Sequence, residues 1–379
     1  MNIGIIGIGN RATAYFKLPE YGSDIRITAL CDTNDSNLDT AIQDFFHGDE
    51  SIRRYNDYMD LMACDDIDAV VICSPDTTHV SIVEEAMKRN KRILLEKPVA
   101  TTGDDLIRLY QHSINYKKTI LPGFVLRYTD LYQKVKEIVD SGEIGEIITL
   151  EANETLSPIH AASFFRRWHR LSVNNGGFLN AKCSHDLDLI SMMTSRKPLY
   201  VSSFGSNIHF NHHHSKSILC SQCEKLMSCK YVDQTINKLS SADYDLCPYL
   251  VDSDIVDHQV VSILYEGGIT ASFTVSMHAS AGNRMMTVYG SEGTIRSDFV
   301  KQEVIVDYIK PQRQEIYKID ELSPGHGGGD EKLCRLFIDK SDNNQVYDGI
   351  MSTAIALAAE KSRNKKMVIS MKEFASYLY

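Results

Sequence analysis

The stretch that most constrains this chain is its first dozen residues, Met1 to Ala12, reading MNIGIIGIGNRA. Ile3, Ile5 and Ile6 make a short apolar run of the kind that forms a strand buried on both faces. The run enters Gly7-x-Gly9-x-x-Ala12 directly, and from Thr13 the pattern turns helical. A first glycine permits the tight turn, and a second lets backbone approach a pyrophosphate. A small third residue lets helix and strand pack closely. A helix starting here would aim its free N–H groups and the positive end of its dipole at phosphate. The spacing therefore predicts a dinucleotide loop made of Gly7, Gly9, Asn10, Arg11 and Ala12. The plainer reading, a glycine-rich turn that binds nothing, is disfavoured by a second strand and its terminal carboxylate downstream.

That second strand, Ile25 to Cys31, ends at Asp32, twenty positions after Ala12. This is where a dinucleotide fold places the carboxylate that accepts hydrogen bonds from the adenosine ribose. A carboxylate there repels a 2′-phosphate, so the expected cofactor is NAD(H) rather than NADP(H). A surface aspartate ending a strand is the alternative.

A chain of 379 residues has enough material for two domains. Its 43% hydrophobic and 24% charged residues are ordinary for a globular protein. The net charge of −10 and the lack of a concentrated basic patch argue against nucleic acid as a partner. No apolar run approaches the roughly 20 residues that span a bilayer. The first strand begins without a basic, cleavable leader. A cytoplasmic protein with no membrane partner is expected, and its nine cysteines should be mostly reduced.

From Met1 to Gly123 strands and helices alternate, predicting a doubly wound parallel sheet. Helices are expected at Ser36–Phe46 and Asp57–Cys64, and strands at Ser51–Arg54, Asp68–Cys73, Arg92–Leu95 and Thr119–Gly123. Ser74-Pro75 opens a loop on the cofactor side, and His79, at the next helix start, lies either beside the cofactor or simply on the surface. Arg92–Leu95 ends in Glu96-Lys97-Pro98, a charged pair at the carboxyl end of a strand, where open α/β sheets bind ligands. Lys97 is the strongest candidate for a catalytic side chain. A partly desolvated lysine near a nicotinamide can exchange a proton with a substrate hydroxyl. A strand-end salt bridge is the alternative. Glu96 and Lys97, with Ser74, Pro75 and His79, complete the expected cofactor contacts.

These motifs, in this order and spacing, resemble those of the Gfo/Idh/MocA oxidoreductases. The resemblance continues through Gly123-Phe124-Val125-Leu126-Arg127-Tyr128, Ser141-Gly142-Glu143-Ile144-Gly145, Gly176-Gly177, His185-Asp186-Leu187-Asp188 and Gly290-Ser291-Glu292-Gly293. It implies an α/β protein with an NAD-binding Rossmann domain at 1–123. A substrate and oligomerisation domain at 124–379 would follow, built on a large mixed, mostly antiparallel sheet. It also implies a homodimer or homotetramer. His185 and Asp188 lie three apart in an expected helix, on one face. An imidazole there can take or give the alcohol proton, with Asp188 orienting it. A satisfied structural histidine is the rival reading, which the Glu-Lys-Pro motif outweighs. Members like the inositol dehydrogenases usually carry Asp four residues before this histidine. Here that position is Ala181, followed by Lys182, so either Lys182 supplies a second pocket cation or the proton path differs.

A polar segment from about 205 to 257 interrupts the second half. It holds His209, His212, His213 and His214, then Cys220-x2-Cys223-x5-Cys229-x17-Cys247. Four thiolates with a leading CxxC suit a structural zinc site. Reduced packed thiols and a disulfide are the other two readings. Beyond it, His258 to Ala279 reads as a hairpin turning at Glu266-Gly267-Gly268, with strands at Met285–Tyr289, Thr294–Ser297 and Glu303–Asp307. A glycine loop carrying His326 precedes a helix at Glu331–Asp339, and a last helix is expected at Ile350–Arg363.

The function expected is hydride transfer between NAD(H) and a secondary alcohol of a sugar, glycoside or cyclitol. Lys97 and His185 would handle the proton, while Lys182, Asp188, Arg127, Trp168 and His326 shape the substrate pocket. Two rivals remain: a redox-neutral glycosidase that retains NAD, and a non-catalytic NAD(H)-binding regulator. Net NADH formation separates the first from the dehydrogenase, and a cofactor site lacking a working Lys97–His185 pair would mark the second.

Overall fold

A computed structural model describes residues 1–211, 217–232, 245–319, 326–339, 341 and 344–379. His212, His213 and His214 lie outside the described residues. The chain divides into two compact units, Met1–Asp130 with Leu322–Ala354, and Leu131–Glu321 with Ile355–Tyr379.

In the first unit six parallel strands form one sheet. They are β1 (Asn2–Ile6), β2 (Arg26–Cys31), β3 (Arg53–Tyr55), β4 (Ala69–Ile72), β5 (Arg92–Leu95) and β6 (Ile120–Pro122), in the order β3-β2-β1-β4-β5-β6. That order reverses between β1 and β4, the topological switch point where such sheets bind ligands. β4 and β5 are buried at every position, as the apolar runs Ala69–Ile72 and Ile93–Leu95 predict. Helices α1 (Asp35–Phe46), α2 (Tyr58–Met62), α3 (His79–Lys88) and α4 (Gly103–Ser113) connect the strands. α1, α2 and α4 start on side-chain caps from Asn34, Asp57 and Thr102.

One expectation fails here. No α-helix follows the glycine loop; the chain makes two 3₁₀ turns, Asn10–Ala14 and Leu18–Tyr21. Pro19 has no N–H to offer the carbonyl of Tyr15, so an α-helix cannot run through it. Tyr15 instead accepts from Leu18 at 3.1 Å. The loop therefore offers individual amides, without the dipole of a long helix.

In the second unit, after α5 (Asp130–Ser141), come β7 (Ile147–Thr155), α6 (Pro158–Arg166), α7 (Phe178–Thr194) and β8 (Pro198–Ser206). β9 (His258–Tyr265) and β10 (Thr270–Ser276) form the hairpin expected around Gly267. The strands β11 (Asn283–Gly290), β12 (Gly293–Asp298), β13 (Glu303–Tyr308) and β14 (Arg313–Lys318) follow. Later in the chain α8 (Gly329–Ile338) falls in the first unit, α9 (Val346–Lys365) includes residues of both, and β15 (Ile369–Ser370) falls in the second. The nine-stranded sheet runs β14-β13-β12-β11-β7-β10-β9-β8-β15, antiparallel except for the β7–β10 pair. α8 packs into the first unit, where Leu333, Cys334 and Phe337 join the core of Ile3, Ile5 and Val71. Arg92, 8% exposed, ties it down by donating to the carbonyls of Phe337 (2.8 Å) and Ser341 (2.7 Å). Among the described residues, no helix is long and apolar enough to cross a membrane.

Candidate active site

The glycine loop sits at the switch point. Gly7 has φ +86°, and a Cβ there would lie 2.4 Å from the Ser74 amide nitrogen. Only glycine lets the end of β1 press against the loop after β4. A Cβ on Gly9, by contrast, would meet nothing within 4 Å. The space over Gly9 is thus open, as a backbone that receives a ligand requires. Asp32 stands beside this loop, accepting from Ile8 N at 2.7 Å and Asn34 N at 2.8 Å. These residues fit the diphosphate and ribose of a dinucleotide.

Several residues expected to touch the cofactor make contacts within the protein that brace the surrounding loops. His79 is 1% exposed, with Nδ1 2.8 Å from the Pro98 carbonyl and Nε2 2.9 Å from that of Ser74. It links the loops after β4 and β5, and burial lowers its pKa. Glu96 is buried beneath the Lys97 loop and accepts from Arg11 Nε, Tyr15 Oη and, at 3.0 Å, Lys97 N. Burial pushes its carboxyl up, but the Arg11 guanidinium and the Tyr15 hydroxyl outweigh that and hold it below the usual range. Arg11 also pairs with Asp330 at 2.6 Å, so its charge is spent inside the protein. Asp330 in turn holds His326 Nδ1 at 2.9 Å. A chain of contacts thus runs from His326 through Asp330, Arg11 and Glu96 to the peptide of Lys97, all within the first unit.

Sequence reasoning missed Asp330, Tyr15 and Asp76 here. Burial raises the Asp76 carboxyl to about 7, against the pull of Lys97. Nothing in the local pattern of Asp76 marks it; only the fold brings it within electrostatic reach of Lys97. Arg127, expected at the substrate, pairs with Asp348 at 2.7 Å.

In the second unit α7 carries Ala181, Lys182, His185, Asp186 and Asp188. His185 is 4% and Asp188 1% exposed. Lys182 Nζ lies 2.8 Å from Oε1 of Glu154 on β7, so it is a partnered cation rather than a free one. Arg284, opposite Glu154 in the β7–β11 register, bonds the same carboxylate and Asp186 Oδ1 at 2.9 Å. Burial lifts Asp186 to about 7 despite Arg284. Glu154, Cys183 and Asp186 offer ligand atoms within 4.8 Å of one another. The two cations already balance the two carboxyls, so the group is an ion network. Trp168 stacks on His169 at 3.9 Å, in the turn after α6.

Comparison with known proteins decides the family. Residues 1–124 match the description "Oxidoreductase family, NAD-binding Rossmann fold", and residues 132–296 match "GFO/IDH/MocA C-terminal domain". The chain belongs to the Gfo/Idh/MocA oxidoreductases. A Bacillus subtilis (strain 168) protein, YteT, named as an oxidoreductase, is 25% identical over 98% of both chains. Inositol 2-dehydrogenase of Salmonella typhimurium is 31% identical over 38% of this chain and 43% of its own length. Among solved structures, levoglucosan dehydrogenase in complex with NADH shares the fold at TM-score 0.76. It is 18% identical, over 98% of this chain and 99% of that one. The scyllo-inositol dehydrogenase of Lactobacillus casei, with NAD(H) and scyllo-inositol, does so at 0.71 and 19% identity, over the same shares. As a Gfo/Idh/MocA member this chain is an NAD-binding oxidoreductase.

The four cysteines of the insert line one small cavity, and among the described residues no three of their sulfurs stand within 4.8 Å of one another.

Proposed function

We propose that the chain is an NAD-dependent dehydrogenase of a secondary alcohol in a sugar, glycoside or cyclitol. The observation that carries the reading is the Lys97 loop. It stands at the carboxyl end of β5, beside the switch point, with its peptide anchored by the buried Glu96. A bound NAD⁺ would accept the hydride of the alcohol carbon at its nicotinamide. Lys97 receives or relays the hydroxyl proton, and His185 is its partner in that transfer. Asp188 orients the imidazole. Lys182, set by Glu154, with Arg127, Trp168 and His326, supplies polar contacts for hydroxyl groups. The inositol and levoglucosan dehydrogenases among its relatives support a polyhydroxylated substrate.

Asp32 favours NAD(H) over NADP(H) by repelling a 2′-phosphate. The enzyme works in the cytoplasm, as a homodimer or homotetramer. The nine-stranded sheet leaves Tyr200, Phe204, Val260 and Met285 exposed, and Phe204 and Val260 are cross-strand neighbours. An apolar sheet face of this kind suits a second copy, and light scattering reads the state directly.

The deciding experiment screens cyclitols, hexoses and anhydrosugars for NADH formation, then repeats the assay with Lys97→Ala. Turnover falls at least about 100-fold while NADH affinity stays within about twofold. Near-normal turnover in that variant removes Lys97 from the mechanism, and tighter NADPH than NADH binding refutes the role of Asp32.

A further inference from the structure

The cysteine segment has no part in the dehydrogenase reading, yet its four cysteines share one cavity. Cys220, Cys223, Cys229 and Cys247 line one cavity of about 60 Å³, together with Leu226 and Val232. They come from two stretches pinned by an isolated bridge between Leu219 and Leu246. The bridge is flanked by Cys220 N to the Asp245 carbonyl (2.5 Å) and Cys247 N to the Ile218 carbonyl (2.8 Å). Cys220 and Cys247 are 5% and 6% exposed, and their thiols are in hydrogen-bond contact. Short turns follow the cysteines. Cys223 N donates to Cys220 O at 3.0 Å, and Leu250 N to Cys247 O at 3.1 Å. The amides of Tyr249 and Leu250 also point at the Cys247 sulfur.

A second, independent observation concerns charge. Arg166, at the end of α6, is 4% exposed. Its side chain donates to the Leu246 carbonyl at 2.7 Å and contacts Cys220 Sγ at 3.6 Å. No carboxylate is among its partners in the described residues. Buried guanidinium groups are paired with anions, because an unmatched buried charge costs several kcal/mol. Among the described residues, Arg166 acts electrostatically on the thiols of Cys220 and Cys247.

We propose that Cys220, Cys223, Cys229 and Cys247 form a tetrahedral site for a thiophilic divalent cation, Zn²⁺, whose negative charge Arg166 balances. A divalent ion held by four thiolates carries a net charge of about −2, opposite in sign to the neighbouring Arg166 guanidinium. Cys220 and Cys247 are already together on the pinned stretches. Binding draws Cys223 and Cys229 inward on their turns and releases the thiol protons to water. The ion then organises the small cluster in which Cys220, Val232 and Cys247 are buried among the described residues.

The test uses the full chain, purified without metal-affinity resin and dialysed against Zn²⁺ alone. Elemental analysis finds about one zinc per chain. The Co²⁺-substituted protein shows thiolate-to-metal charge transfer and tetrahedral d–d bands. Cys223→Ser and Cys229→Ser each lose most of the zinc, while Cys31→Ser keeps it. Should the serine variants fail to fold, chelator-stripped wild type serves in their place. It loses the cobalt spectrum on stripping, gains protease sensitivity within the insert, and recovers both with Zn²⁺. NADH binding, read by fluorescence, survives stripping, so failure here is separable from failure of the dehydrogenase reading. Zinc well below one per chain refutes the site, as does its retention in both serine variants. A Cys220–Cys247 disulfide in freshly isolated protein refutes it too.

Discussion

Replacing Glu96 with Gln tests whether the buried brace, rather than a cofactor contact, is what this residue supplies. The glutamate accepts from Arg11 Nε and Tyr15 Oη on Oε1 and from Lys97 N on Oε2. Glutamine has the same shape but one acceptor. With its oxygen toward Arg11 and Tyr15, its NH₂ faces the Lys97 N–H, donor against donor. Hydrogen bonds to a charged group contribute about 1.5–3 kcal/mol each, and a buried unmet donor costs about 1–3 kcal/mol. Arg11 keeps Asp330 as a second partner, so the loss stays below that of an isolated buried pair. The sum is about 3 kcal/mol. At about 2–4 °C per kcal/mol for a unit of this size, Tm drops by roughly 6–12 °C. Because Glu96 is held below its usual range, its contribution is present above about pH 4.5 and is lost as pH falls through its folded value. The gap between wild type and variant therefore narrows in acid. Differential scanning calorimetry from pH 4 to 8 measures it, with NADH titration and turnover read in the same samples. Turnover falls at least about 10-fold, since the Lys97 peptide loses its anchor, whereas NADH affinity changes little. A Tm within about 1 °C of wild type, or a loss confined to NADH affinity, refutes the brace.

Two further substitutions separate the glycines. Gly9→Ala enters open space, so it leaves Tm unchanged and weakens NADH binding at least about 10-fold. Gly7→Ala lowers Tm as well, because it places a Cβ 2.4 Å from Ser74 N at a left-handed φ costing about 1–2 kcal/mol; equal Tm values for the two variants would contradict the geometry. For Asp76, whose carboxyl is raised to about 7 mainly by burial, the sign is opposite to Glu96. Between about pH 4 and 7 the unfolded carboxyl ionises while the folded one keeps its proton, so its effect on stability declines as pH rises. Asp76→Asn abolishes this dependence, and its Tm relative to wild type climbs from pH 4 to 7 and then levels off; parallel profiles would place the Asp76 carboxyl in its ordinary range.

The parallel sheet was legible because its strands are buried on both faces. Apolar runs such as AVVI, and ILL after Arg92, have few other uses at that length. β14, reading RQEIYK, was missed because an edge strand with no fully buried position carries no hydrophobic pattern. The helix expected from Thr13 failed for a local reason, Pro19, that was visible in the sequence. The positions of Lys97, His185 and the glycine loop were read from motifs, each of which spans only a few residues.

The sequence by itself therefore determined the elements and chemical groups that depend on near neighbours: glycine turns, apolar strands, capped helices and the Glu-Lys-Pro corner. Tertiary structure alone decided which charges are spent and which remain. Arg11 meets Glu96 and Asp330 from far along the chain, and Lys182 meets Glu154 from a facing strand. The physical reason is range. Backbone geometry is set over a few residues, whereas a buried charge is settled by whichever opposite charge the folded chain brings within about 4 Å, a distance that bears no relation to separation in sequence.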